Sequence, residues 1–233
     1  MNFLTVFHKK KRSTPLENFP ETKNVQTPIR NTRILIISDI HYALTPEEEK
    51  IFFEEFDQCW ILGDINQQIV NSLMYSAKYP VYGVLGNHDS FNSFSLKKNS
   101  LVPKNITIEN INGELVNEKN FSLTGMSGSS RYKQDKSYPM VTQEESLEIF
   151  EKMEKADVLI SHDSAFNIHS KEKNKEGLKG ITEYINKHQP KLHMYGHHHQ
   201  FHSYKIKDTL CICNFRLGII ERDGTYHSIP SRP

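Results

Sequence analysis

Five short apolar runs in this chain each end in a carboxylate, a carboxamide or an imidazole, and that pattern restricts the fold more than any other feature. Arg33-Ile34-Leu35-Ile36-Ile37 leads into Asp39 and His41, and Cys59-Trp60-Ile61-Leu62 leads into Asp64. Val81-Tyr82-Gly83-Val84-Leu85 leads into Asn87, Val158-Leu159-Ile160 into His162, and Leu192-His193-Met194-Tyr195 into His197 and His199. A short apolar run without polar alternation is what a strand buried on both faces requires. Between the runs lie apolar positions at helical spacing. Ile69, Val70, Leu73 and Met74 form one stripe; Leu178, Ile181 and Ile185 form another, closed by Pro190. Thr142 with Glu145 reads as a capping box opening a helix to about Lys155, with Ile149, Phe150 and Met153 on its apolar face. Strands and helices in alternation predict an α/β chain. Ligands of open α/β sheets bind beyond the carboxyl ends of the strands, so the five ends can face one site.

The residue types at those ends point to metal. Imidazoles mixed with carboxylates and one carboxamide suit Mn²⁺, Fe, Zn²⁺, Co²⁺ or Ni²⁺, whereas an all-oxygen set suits Mg²⁺ or Ca²⁺. Asp39 and His41 are two residues apart, so in an extended segment both side chains leave on one face; His197 and His199 repeat the spacing. The candidates Asp39, His41, Asp64, Asn87, His162, His197 and His199 are too many for one ion and suffice for two sharing a carboxylate. Two-metal hydrolytic sites hold their ions about 3.5–4 Å apart and clamp the attacking and leaving oxygens, which favours phosphoryl-ester hydrolysis. A single histidine at a strand end is more often a hydrogen-bonded or surface residue. Six of the chain's 12 histidines fall in these segments, and the joint occurrence reverses that expectation.

Read together, the motifs Asp39-Ile40-His41, Gly63-Asp64, Gly86-Asn87-His88-Asp89, His162 and Gly196-His197-His198-His199 resemble, in order and spacing type, the calcineurin-like metallophosphoesterase superfamily. The resemblance runs from about Thr32 to the end of the chain. It implies two facing mixed β-sheets flanked by helices, a four-layer α/β (α+β) sandwich with the metals at one edge. It also implies that Asp39, His41, Asp64 and His199 bind one divalent ion and Asp64, Asn87, His162 and His197 a second, with Asp64 bridging. His88 then resembles the acid that meets the leaving group, and Asp89 its orienting partner. A bridging hydroxide would attack phosphorus in line, without a covalent intermediate. Manganese heads the metals this implies.

Departures from the family pattern narrow the branch. The second motif reads Gly63-Asp64-Ile65-Asn66-Gln67-Gln68 and Leu85 precedes Gly86, so both phosphate-gripping arginines of the protein phosphatases are missing. The form Gly-Asn-His-Asp suits phosphodiesterase and nuclease-like branches, which makes phosphodiesters of nucleotide or nucleic-acid type the favoured substrates. A phosphomonoesterase, or a protein-binding subunit on the same fold, is the alternative. Some superfamily members are such subunits, and retention of His88 with every ligand favours an enzyme here.

The remaining features bound the reading. A chain of 233 residues accommodates one large domain, and a net charge of +1 makes no electrostatic case for a dedicated nucleic-acid binder. Cys59, Cys211 and Cys213 read as packing residues suited to a reducing cytoplasm. Residues 1–31 read as a polar, mobile arm and residues 32–233 as the catalytic domain. The apolar Phe3, Leu4 and Phe7 precede the basic Lys9-Lys10-Lys11-Arg12, the reverse of a secretory signal. A solvated leader is the default for this arm, and contact with an anionic membrane or a partner the alternative. No apolar stretch approaches membrane-spanning length, and nothing specifies an oligomeric state.

Residues 90–104 and 125–138 read as loops outside the skeleton that shape a substrate pocket. Arg131 is the best phosphate-gripping candidate among them, since its planar fork matches phosphate oxygens. His198, in the middle of the last motif, is expected to face solvent or substrate. His169, His188, His193, His202 and His227 read as ordinary, Asp163 as an orienting carboxylate, and residues 171–179 as a solvated loop. Thr209 to Cys213 and Leu217 to Glu221 read as strands, with a hairpin turn at Asp223-Gly224.

Overall fold

The computed structural model describes residues 24–52, 54–94, 107–169 and 175–229. In chain order the elements are β1 (Asn24–Gln26), β2 (Ile34–Ser38), α1 (Pro46–Ile51), β3 (Gln58–Ile61), α2 (Gln67–Ser76), β4 (Val81–Gly83) and β5 (Ile108–Asn110). There follow β6 (Leu115–Asn117), β7 (Ser122–Met126), β8 (Ser129–Ser130), β9 (Met140–Val141), α3 (Gln143–Lys152) and β10 (Val158–Ser161). The last are α4 (Lys179–His188), β11 (Leu192–Tyr195), β12 (His202–Ile206), β13 (Thr209–Cys213), β14 (Arg216–Ile220) and β15 (Thr225–Ser228).

Two large mixed sheets face each other, in the orders β1-β15-β14-β2-β3-β4-β5 and β12-β13-β11-β10-β7-β6. The alternation of side chains along each strand builds the layers. Ile34 and Ile36 of β2 and Trp60 of β3 pack inward against Val158 and Ile160 of β10 and Met194 of β11. Their neighbours Leu35, Ile37 and Cys59 point outward, onto the α2 stripe of Ile69, Val70, Leu73 and Met74. On the other side Leu159 and Tyr195 meet Ile181, Tyr184 and Ile185 of α4. Both faces of each central strand are therefore covered, giving the four-layer metallophosphoesterase sandwich that the apolar runs and the family resemblance imply.

Helix ends follow local chemistry. Thr142 and Glu145 form the reciprocal capping box, and α3 stops at Lys152, short of the expected Lys155. Helices α3 and α4 approach closely because Gly180 has no side chain: a Cβ there would lie 2.1 Å from the Ser146 carbonyl oxygen. Helix α1 was not anticipated, although Thr45-Pro46-Glu47-Glu48 carries the same signal. Thr45 and Glu48 cap it reciprocally, and Pro46 opens it. The Asp223-Gly224 turn joins β14 and β15 as expected, with Gly224 at φ +86°. All three cysteines are free and buried, and burial pushes the Cys211 thiol up to about 12.

Residues 24–31 depart from the expected arm. Strand β1 pairs antiparallel with β15, Thr27 donates to the Gly224 carbonyl, and Thr27 and Ile29 are 1% and 3% exposed. The folded unit therefore begins at least eight residues before the expected boundary at 31/32. Phe3, Leu4, Phe7 and the basic run lie outside the described residues. A chain beginning at Asn31 is expected to melt about 5–10 °C below one beginning at Asn24, because it loses an edge strand and a buried isoleucine. Equal melting temperatures in a thermal scan would show that β1 adds nothing to the sheet.

The supposed loop 125–138 is also partly core. Gly125 and Met126 complete β7, and every residue from 125 to 130 is buried. Of the loop at 90–104, residues 95–104 lie outside the described set. Among the described residues no helix is long and apolar enough to cross a membrane.

Candidate metal centre

Strands β2, β3 and β4 run parallel in one sheet, and β10 and β11 run parallel in the other. Their carboxyl ends meet at one edge of the sandwich. Backbone and side-chain bonds then tie the two sheets together there. His162 Nδ1 lies 2.7 Å from the Leu62 carbonyl, and the His197 amide donates to both Asp39 oxygens at 2.9 and 3.1 Å. Four candidate ligands, Asp39, Asp64, His197 and His199, sit at φ 53°, 55°, 69° and 52°. Left-handed backbone is costly for such residues and accumulates at functional sites. The turn at Gly63 also depends on glycine: φ is +89°, and a Cβ would lie 2.5 Å from the Gly86 amide nitrogen.

The seven expected ligands gather into two neighbouring sets. Asp39, His41 and His199 bring ligand atoms within 4.8 Å of one another, and so do Asp64, His162 and His197. In the second set His162 Nε2 lies 3.0 Å from Asn87 Oδ1 and 3.3 Å from Asp64 Oδ2. His162 Nδ1 is committed as donor to Leu62, so Nε2 faces two oxygens and something positive must lie between them. In the metal-free protein that is a proton. Burial alone would lower the His162 pKa, but the Asp64 charge raises it to about 10. A cation can replace that proton, since metal ligands bind in their deprotonated forms. His197 Nε2 is buried and has no hydrogen-bond partner among the described residues. Burial holds the His197 imidazole neutral, with its pKa lowered to about 4. A neutral, orphaned nitrogen beside a shared proton fits a borderline divalent ion.

The other motif residues frame these sets. The His88 amide donates to Asp64 Oδ1 at 2.7 Å, while the His88 ring stands exposed, edge-on to His41 with centroids 5.5 Å apart. Asp89 is 3% exposed, and its Oδ2 accepts from the Asp64 and Gly86 amides at 2.9 and 2.7 Å. Its hydrogen bonds among the described residues go to those amides, not to the His88 ring, so it ties two motif turns together. Burial and the Asp64 charge raise its pKa to about 7 against those amides.

A cleft of about 200 Å³ opens over the site, lined by Asp64, Asn87, His88, Tyr132, Lys175, His197 and His199. Arg131 is not among these residues. Its guanidinium pairs with Glu145 at 3.0 Å, bracing the capping box of α3. Tyr132, its neighbour, takes the place over the cleft, with its hydroxyl accepting from Asn87 Nδ2 at 3.2 Å. Lys175 comes from the segment expected to be plain solvated loop. His198 turns inward: it is 4% exposed, 3.7 Å from Asp163, and tilted by 34° against the His169 ring with centroids 3.7 Å apart. Asp163, expected to orient a neighbouring imidazole, accepts from the Ser130 and Ser164 amides, and the His198 ring nitrogen stands 3.7 Å away. His193, read as ordinary, is buried, contacts the Ser161 hydroxyl at 2.7 Å, and is lowered by burial to about 3.

No curated protein sequence matches the chain. Among solved structures it is similar to an archaeal phosphodiesterase, at 14% identity and TM-score 0.51, covering 84% of this chain and 98% of that one. It is also similar to a phosphopantetheinyl hydrolase from Mycobacterium tuberculosis, at 11% identity and TM-score 0.51, covering 81% and 91%. Vacuolar protein sorting 29 from Cryptosporidium parvum is a further likeness, at 10% identity and TM-score 0.48, covering 84% and 86%. These likenesses concern the fold. The family model of the calcineurin-like phosphoesterase superfamily domain matches residues 32–215, which hold all seven candidate ligands, and the chain belongs to that superfamily.

Proposed function

We propose that the chain is a two-metal phosphoesterase whose preferred substrates are phosphodiesters of nucleotide or nucleic-acid type. The observation that carries this reading is the convergence of His162 Nε2, Asn87 Oδ1 and Asp64 Oδ2 beside the Asp39-His41-His199 set. Asp39, His41 and His199 would hold one ion, Asn87, His162 and His197 the other, and Asp64 both. Manganese suits the mixed donors best, and Fe, Zn²⁺, Co²⁺ or Ni²⁺ suit them also. Bound there, the ions supply Lewis-acid polarisation of the phosphoryl group and a nucleophile from water at neutral pH.

The protein's own groups do the rest. His88 stands at the mouth of the cleft and donates a proton to the leaving oxygen. Asp89 holds the turn that presents it. Asn87 directs Oδ1 toward the second set and Nδ2 toward Tyr132, which fixes the carboxamide's orientation. The Tyr132 hydroxyl, already accepting from Asn87, has no acceptor for its own proton among the described residues and can give it to a phosphoryl oxygen. Among the described residues the lysine or arginine lining the cleft is Lys175, in place of paired arginines, which favours a monoanionic diester over a dianionic monoester. The buried thiols suit a reducing cytoplasmic setting.

The test is a metal-reconstituted sample assayed against phosphomonoesters, cyclic nucleotides, dinucleotides and single-stranded nucleic acid. Chelation should abolish turnover and Mn²⁺ restore it; activity that persists without metal sinks the reading. Tyr132→Phe is expected to lower kcat/KM about 5–50-fold through loss of a donor and of Asn87's anchor, with two metals retained. Unchanged kinetics in Tyr132→Phe would remove the tyrosine from the site.

A further inference from the structure

Behind the strand-end site lies a second convergence of ligand atoms. His169 follows β10, Tyr195 ends β11 and His202 opens β12, so three separate elements deliver the groups. His169 Nε2 lies 2.9 Å from His202 Nε2 and 3.1 Å from the Tyr195 hydroxyl, which is itself 2.7 Å from His202 Nε2. Each atom is thus in contact with both others.

Three hydrogen bonds cannot satisfy that triangle well. A neutral imidazole nitrogen either donates one proton or offers one in-plane lone pair, never both. One of the two nitrogens would have to split its single N–H between two acceptors, and the other would have to accept twice on one lone pair. The ring positions point the same way. The His169 and His202 centroids are 4.5 Å apart with their Nε2 atoms 2.9 Å apart, so the rings are tilted off the line joining the nitrogens and do not meet end to end. Two imidazole nitrogens each about 2.0–2.1 Å from one ion lie about 3 Å apart when they meet it near a right angle.

We propose that His169 Nε2, His202 Nε2 and the Tyr195 oxygen form a third metal site, an N₂O set for a borderline transition-metal ion such as Zn²⁺ or Co²⁺, with the Tyr195 hydroxyl releasing its proton to solvent as the ion binds. Tyr195 and His202 are 0% and 4% exposed, while His169 is half-buried and gives the ion its way in. The His198 ring touches His169 of this site and His197 of the neighbouring strand-end set. An ion here pins the segment after β10 to the turn that carries His197 and His199. Its role is structural, and it stands independently of the proposed hydrolysis.

The test is metal stoichiometry on the full chain, stripped by chelator and titrated with Co²⁺ while its visible absorption is followed. Wild type is expected to take up three equivalents and His169→Ala two, since the half-buried His169 can be removed without opening the core. Tyr195→Phe, which keeps the ring but removes a ligand atom, is expected to weaken the third equivalent by at least the roughly 10–100-fold that losing a group hydrogen-bonded to a ligand costs. In Asp64→Asn the equivalent that depends on His169 should remain, along with its rise in melting temperature on Co²⁺ addition. Identical uptake by wild type, His169→Ala and Tyr195→Phe overturns the proposal and leaves a hydrogen-bonded cluster. A single His169-dependent equivalent, with none depending on Asp64, would sustain it while sinking the two-metal reading.

Discussion

Asp64→Asn is expected to lower turnover of an aryl phosphate by about 10³-fold or more, and to do so more severely than His41→Ala or His199→Ala. The carboxylate is 3% exposed and uses both oxygens: Oδ1 accepts from the His88 amide and Oδ2 faces His162. Against burial, the charge and hydrogen bond of His162 and the His88 amide hold the Asp64 pKa below the usual carboxylate range, and the Asp64 charge in turn holds His162 above the usual imidazole range. Asparagine keeps the volume but offers one oxygen and no charge, so both proposed ions lose a ligand at once. His41 and His199 each serve one set. The measurement is kcat/KM alongside metal content by elemental analysis. Near-wild-type turnover with both ions retained would mean that Asp64 is not shared.

His88→Ala is expected to cost about 10²–10⁴-fold on a nucleoside diester and much less on a nitrophenyl ester. An alkoxide leaving group needs a proton in the transition state, whereas nitrophenoxide leaves with little help. The substitution is informative because His88 holds the site by two separate means. Its backbone N–H anchors Asp64 and survives the change; its exposed ring meets His41 edge-on and can be removed without opening the core. Metal content should therefore stay at wild-type level. Equal losses on both esters, with the ions in place, would make His88 a phosphate-positioning residue.

What the sequence by itself determined is the part of the protein set by local chemistry. The apolar runs ending at Asp39, Asp64, Asn87, His162 and His197 are strands covered on both faces, because a run without polar alternation finds no water-facing side. The α2 stripe and the Thr142-Glu145 capping box are legible for the same reason, since spacing and capping act within a few residues. Helix α1 carries the same local signal in Thr45 and Glu48. The tertiary structure alone decided what depends on partners distant in the chain. Residues 24–31 look like a polar arm until β15 and the turn before it supply hydrogen bonds from about 200 residues further along the chain. Arg131 resembles a phosphate grip in isolation, but Glu145 claims it, and Tyr132 and Lys175 come over the cleft instead. The left-handed backbone at Asp39, Asp64, His197 and His199 carries no residue-type signal, because the surrounding fold and not local preference holds it. His169, Tyr195 and His202 read as unremarkable one at a time; only the pairing of β10, β11 and β13 and the return of β12 bring their three donor atoms to one point.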